Sequence, residues 1–419
     1  MVLRKLPRKI LLAISFLAIV LQERGFAKSE PIIRVLVLDA KKIHLRADQS
    51  RPLIVKGLGL NRKSIKSLHL NVNNGKLRYS FNRDSPQWIS LKKGQELSVG
   101  TRDPRGIWLG KRRYGGRLRI LNSDSTIKVV NYLGIEKYLK SVVGSEMPKD
   151  WPIEALKSQA IAARTYALRQ LKKTGEYDLN SNISNQVYLG VEAETNRTQE
   201  AVNRTRSLVL VDKGRLIEAV FHSGSGGETE SSYSVWGKHR PYLISVRDYD
   251  QDSPNYKWQK HFSQKELQNL FFDLGGLNAI RIVEQSSTQR VKRVKIYGPK
   301  GITYLSGKEI RSLLNLKSTL VKFKMIPSSF IPNQNDKEFF NDIKNDAIYR
   351  KNSTSIINNL LQLPNVTYGD SLLVNGNGSG HAVGMSQWGA KYLAERGAKY
   401  REILRHFYKG TKIISFSLR

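Results

Sequence analysis

Near residue 131 the apolar residues change their spacing, and that change limits the folds open to the chain. Before it, residues 32–130 read as short strands punctuated by turns. Ile33–Leu38 reads as a strand, and Leu68–Val72 alternates ahead of Asn73-Asn74-Gly75. Leu118–Leu121 and Thr126–Val130 flank the polar Asn122–Ser125 as the arms of a hairpin would. After it, Ile135, Tyr138, Leu139, Val142 and Val143 fall on one helical face, with Gly144 and Pro148 placed to close the helix. Asp150 is positioned to cap a second helix, with Pro152 in its first turn and Ile153, Leu156, Ala160, Ala163, Ala167 and Leu171 as its buried stripe. Strands resume at Leu208–Val211, Leu216–Phe221 and Val291–Tyr297. Grouped strands and helices predict an α+β fold, mixed and mostly antiparallel, around a two-helix segment. The expected organisation is a β-rich region at 32–130, a core at 131–330 plus 371–419, and a polar insertion at 331–370 lying on the surface.

Composition narrows the chemistry. The chain has no cysteine, which excludes disulfides, thiolate metal sites and a cysteine nucleophile. Its 70 Lys and Arg against 35 Asp and Glu give a net charge of +35, which favours contact with a polyanion. The basic residues are spread along the chain, and no zinc-finger spacing, aromatic–basic RNA motif or helix-turn-helix pattern accompanies them. Short runs such as Lys111-Arg112-Arg113 read as a solvated face. Arg4, Lys5, Arg8 and Lys9 precede the 12-residue apolar stretch Ile10–Leu21, short of the roughly 20 residues of a spanning helix. Gly25-Phe26-Ala27 then suits cleavage after Ala27. Residues 1–27 are therefore either a signal peptide or an uncleaved anchor. Both readings put the remainder outside the cytoplasm, at a periplasmic, wall or extracellular face, and argue against nucleic acid. An anionic membrane or wall polymer accounts for the charge equally well.

Three segments look like a site. Ser145-Glu146-Met147-Pro148 sets a carboxylate at a helix C-terminus, where the dipole and partial burial both raise its pKa, as a general acid requires. A solvated helix-end glutamate has the same local pattern. Phe221–Gly227 follows an apolar strand with His222, Ser223 and closely spaced glycines; it is either a ligand loop or a glycine-rich hairpin. Gly376–Gly389 has neither dinucleotide-loop spacing nor a Walker lysine, and its His381, Gln387 and Trp388 suit a sugar better than a phosphate.

Leu133–Pro148, Trp151–Ala167, His222–Gly227 and Gly380–Ala390, in this order, resemble the SpoIID/LytB family of stage II sporulation protein D and amidase enhancers. The resemblance covers roughly 118–325 and 371–415, and more weakly the strands from 32. It implies a peptidoglycan lytic transglycosylase that cuts glycan strands stripped of peptide stems, needs no cofactor and uses Glu146 as its single catalytic acid and base. It also implies that Arg164, Tyr166, Gln186 and Tyr188, with His222, Ser223, His381 and Gln387, surround a glycan groove. On the residues alone, Arg164 equally fits a structural ion pair and Tyr166 core packing. Some relatives bind zinc through a His and two Cys just before the Gln-Val-Tyr segment. Asn180 and Asn185 stand where those cysteines align, and asparagine is a poor zinc ligand, so no metal is expected. The amidase-enhancer name carries the alternative: a non-catalytic wall-binding module, or an activator with a cell-wall amidase as partner.

Overall fold

The computed structural model describes residues 30–48, 51–58, 64–82, 86–91, 96–123, 125–326, 366–368 and 370–416. The expected leader or anchor at 1–27 and most of the expected insertion at 331–370 lie outside these residues. The fold is α+β.

Alternation builds the first half. In the strand Ile32–Ala40, Ile33 and Val35 are buried while their neighbours are not. It pairs antiparallel with Thr126–Gly134 and parallel with Leu179–Asn180. The expected hairpin forms between Arg117–Ser123 and Thr126–Gly134, with Ser123 opposite Thr126. The Asn73-Asn74-Gly75 turn closes a second hairpin, Ser67–Asn73 with Lys76–Ser80. These strands belong to a seven-stranded and a six-stranded sheet. Their apolar residues join the helices in one continuous core from Ile33 to Tyr408, which crosses the 130/131 boundary.

Helix α1 (Ile135–Glu146) grows directly out of the strand Thr126–Gly134. Its predicted apolar face is buried at all five positions. Glu30 caps its start, accepting from the Glu136 N–H at 2.6 Å. Gly144 does not close this helix. It lies inside it, because a Cβ there would sit 2.0 Å from the Ala193 carbonyl oxygen, so its bare backbone allows that neighbour to approach. Helix α2 (Ile153–Arg169) is buried on nearly every side and packs against α1, α3 (Asn196–Arg204), α7 (Gln387–Glu395) and α8 (Tyr400–Phe407). Its alanines, Ala155, Ala160, Ala162, Ala163 and Ala167, permit that crowding while keeping helix propensity high. Pro152 occupies its N-cap, and Asp150 is exposed and makes no cap.

A second, smaller core lies within 257–326 and 371–377, built from residues such as Trp258, Phe262, Leu267, Ile296, Ile310, Val321 and Val374. It carries α5 (Gln264–Leu270) and α6 (Gly307–Leu313); the short α4 (Ser232–Trp236) precedes it in the chain. The predicted strand Leu216–Phe221 survives only at its ends, Arg215–Leu216 and Phe221–His222, with an irregular stretch between them. Residues 366–368, expected in the insertion, form a strand paired with Ala279–Gln285.

One segment stitches the two cores together. The strand Ser371–Asn377 pairs with Lys257–Phe262 and Val321–Ile326 in the second core. The chain then crosses, pairs Met385–Ser386 with Phe221–His222 in the first core, and enters α7.

Candidate active site

The crossing borders a cleft of about 830 Å³. The first core lines it with Glu146, Tyr166, Val187 and His222, and the second with Lys308, Arg311 and Asn315; the crossing segment adds Gly380, His381 and Gln387.

Glu146 is the last residue of α1. Its Oε1 accepts from the Val187 N–H at 2.7 Å, and its Oε2 from the Gln387 side-chain amide at 3.3 Å. Burial in the cleft raises its pKa, against the opposing pull of those two donors, which favour the carboxylate. The group is therefore a weaker acid than an ordinary glutamate and has donors ready when it loses its proton.

The segment that supplies the Val187 N–H is fixed from below. Ser145 Oγ accepts from the Leu189 N–H at 3.3 Å. The Gln186 side chain bonds the Tyr138 hydroxyl at 3.0 Å and the Ala163 carbonyl at 3.2 Å. The Tyr188 hydroxyl donates to Asn131 Oδ1 at 2.7 Å. Alternation sends Gln186 and Tyr188 into the core and leaves the intervening N–H facing Glu146. Neither side chain lines the cleft, so both are positioning residues and not the groove contacts expected from the resemblance.

Arg164 is also corrected. Its guanidinium is fully buried, donating to Glu136 at 2.9 and 2.7 Å and to the Leu208 carbonyl at 3.1 Å. It ties α2 to α1 and lies outside the cleft lining. Its neighbour Tyr166 does line the cleft, its hydroxyl accepting from Asn185 Nδ2 at 3.1 Å. Asn185 Oδ1 in turn accepts from the Asn180 N–H at 2.9 Å, so the two asparagines at the aligned cysteine positions clip the loop through hydrogen bonds. Among the described residues no three His, Asp or Glu side chains converge as metal ligands would.

His222, Ser223, His381 and Gln387 line the cleft. The His222 and His381 rings lie 5.6 Å apart. Burial lowers the His222 pKa well below its usual value, and burial with nearby Arg311 pushes His381 down to about 4, so both rings are neutral near pH 7. His222 Nδ1 bonds the Val383 carbonyl at 3.2 Å, so Nδ1 carries the hydrogen and Nε2 is an acceptor. That Nε2 is buried and has no hydrogen-bond partner among the described residues. Gly380 brings the second histidine loop against the first: at φ +110°, its Cβ would lie 2.8 Å from that of His222. Trp388 is turned away and packs edge-on against Trp151 at 4.8 Å.

Sequence reading missed Trp236, Arg311, Lys308 and Asn185. Trp236 is 40% exposed, with its ring 5.3 Å from that of His381. An aromatic just before a left-handed glycine, Gly237, was the only available signal.

A stage II sporulation protein family model matches residues 123–211, from the central hairpin through both helices. An uncharacterized protein of Brachyspira hyodysenteriae is 32% identical across 74% of this chain and 75% of its own length. Stage II sporulation protein D of Bacillus subtilis is 29% identical across 68% of this chain and 75% of its own. The Amidase enhancer of Bacillus subtilis is 30% identical over 66% of this chain, which spans 40% of that protein. The four motifs, the matched segment and these relatives define one class of cell-wall-related proteins. The chain belongs to the SpoIID/LytB family.

Proposed function

We propose that the chain is an exported peptidoglycan lytic transglycosylase, cleaving bonds between N-acetylmuramic acid and N-acetylglucosamine in peptide-stripped glycan. The observation that carries this reading is Glu146: one carboxyl group in a cleft, raised by burial and held by two donors. Glycosidases ordinarily use two carboxylates. Among the described residues the other acid lining the cleft, Glu218, is paired with Arg240 at 3.2 Å, and Glu146 has no acidic partner there for the chemistry.

One carboxyl group suffices when the substrate supplies the nucleophile. Glu146 gives its proton to the glycosidic oxygen as the bond from the anomeric carbon breaks. The C6 hydroxyl of the same muramic residue attacks that carbon, and its proton passes to the Glu146 carboxylate. The acid is regenerated, no water is consumed, and the products are a 1,6-anhydromuramic end and a free 4-hydroxyl. Intramolecular attack gives the nucleophile a high effective concentration. Trp236, 40% exposed in the cleft lining, offers a ring face for stacking.

A second reading, activation of a wall amidase without cleavage, is favoured by the likeness to the Amidase enhancer. Incubating the purified chain with stripped glycan alone, and with intact wall plus an amidase, separates the two. Soluble fragments from stripped glycan support the enzyme. Faster amidase turnover with inert stripped glycan supports the activator.

A further inference from the structure

Cations are plentiful in this chain, and many of those packed beside the cores are held in ion pairs. Arg34 pairs with Asp178, Arg113 with Asp48 and Glu192, and Arg164 with Glu136. Arg311 is half-buried in the cleft wall, and no ion pair is formed by it among the described residues. Its Nε donates to the Leu316 carbonyl at 3.2 Å, which fixes the plane of the guanidinium, and its two Nη groups make no hydrogen bond among the described residues. The acid nearest in sequence, Glu309, is occupied at the start of α6, where it forms a capping box with Ser306. Lys308, exposed one turn earlier on the same helix, lines the same cleft without an ion pair among the described residues. A partly desolvated guanidinium without a counter-ion is costly in isolation and well placed for a planar anion, which it can bind through two parallel hydrogen bonds.

We infer that Arg311, with Lys308, is the specificity determinant that recognises the lactyl carboxylate of muramic acid. The inference rests on the glycan reading of this cleft. In intact peptidoglycan that carboxyl group is an amide to the peptide stem and carries no charge. Amidase cleavage returns it as a carboxylate, so the pair reads directly whether a strand has been stripped. The site therefore belongs downstream of a hydrolysis that frees this carboxylate.

The test uses the Glu146→Gln chain, which holds glycan without cutting it, and three tetrasaccharides. One is the stripped N-acetylglucosamine–N-acetylmuramic acid repeat, one is the same repeat with its lactyl carboxyls amidated, and one is chitotetraose, which has no lactyl group. The carboxylate form should bind about tenfold more tightly than the amide. Arg311→Gln should abolish that preference, Arg311→Lys should retain part of it, and chitotetraose affinity should stay the same in all three proteins. Equal affinity for carboxylate and amide, or a preference that survives in folded Arg311→Gln, overturns the inference and leaves the glycan reading standing. Failure to bind any tetrasaccharide overturns both. The comparison of carboxylate with amide on the chain with Arg311 intact decides the matter even if Arg311→Gln does not fold.

Discussion

The backbone N–H of Val187 donates to Glu146 Oε1 over 2.7 Å, and this bond connects the end of a helix to a stretch of chain 41 residues away. A backbone donor cannot be removed by changing its own side chain. Its position depends on Gln186 and Tyr188, which anchor it on both sides.

That dependence predicts the behaviour of Tyr188→Phe. The change leaves Asn131 Oδ1 without its buried donor and should cost about 1–3 kcal/mol in denaturant unfolding. Activity should fall as well, although the hydroxyl touches no part of the cleft. A variant with full activity and lowered stability would separate Tyr188 from the placement of Val187.

Glu146 carries a second consequence. Burial raises its carboxyl pKa above the unfolded value, so the native state favours the protonated form. The stability gained this way is present below the unfolded pKa and is lost as pH rises through the folded one. Glu146→Gln has no charge to bury, so it should melt higher than the parent at pH 7.5, with the gap closing toward pH ~4, near the ordinary Glu value. An equal gap at both pH values would contradict this account. The same substitution should lower cleavage by about 10²–10⁴-fold.

Gln387 tunes that acid. Its amide favours the carboxylate, so Gln387→Leu should raise the Glu146 pKa further. The alkaline limb of the pH–rate profile, where activity is lost as the acid deprotonates, should move to higher pH. A limb that stays in place or moves down would show that the amide does not act on Glu146.

Arg164→Ala should behave as a folding mutation. It strands the buried Glu136 carboxylate, and loss of one partner from such a pair costs about 3–5 kcal/mol. Thermal melting would detect a loss of that size at once. A well-folded Arg164→Ala protein defective only in glycan binding would restore Arg164 to the groove.

Gly380→Ala should destabilise the histidine loops by about 1–3 kcal/mol, since it combines φ +110° with a 2.8 Å clash against His222. The expected result is a lowered melting point together with weakened glycan binding.

How far the sequence was legible follows from where its signals came from. Periodicity marked the buried face of α1 and therefore placed Glu146 at its end, because five apolar positions share one helical face. The motif segments likewise pointed to His222, Ser223, His381 and Gln387. Arg164 and Tyr166 lie two residues apart on α2, yet one enters the core and the other the cleft. Helical spacing cannot sort them when nearly every side of α2 is packed. Arg311 and Trp236 were invisible because tertiary packing alone brings α6 and α4 to the cleft that Glu146 lines, and no local pattern records that approach. Asp150 failed as a cap because Pro152 already begins the helix two residues later.

The most direct measurement is the mass of the new ends made from stripped glycan in heavy-oxygen water. The account predicts muramic ends lighter by one water, with no heavy oxygen incorporated, and none of them from Glu146→Gln. Reducing ends carrying heavy oxygen would mean hydrolysis by an activated water. No new ends at all, from a chain that still binds the glycan, would contradict the transglycosylase and leave the amidase activator in its place.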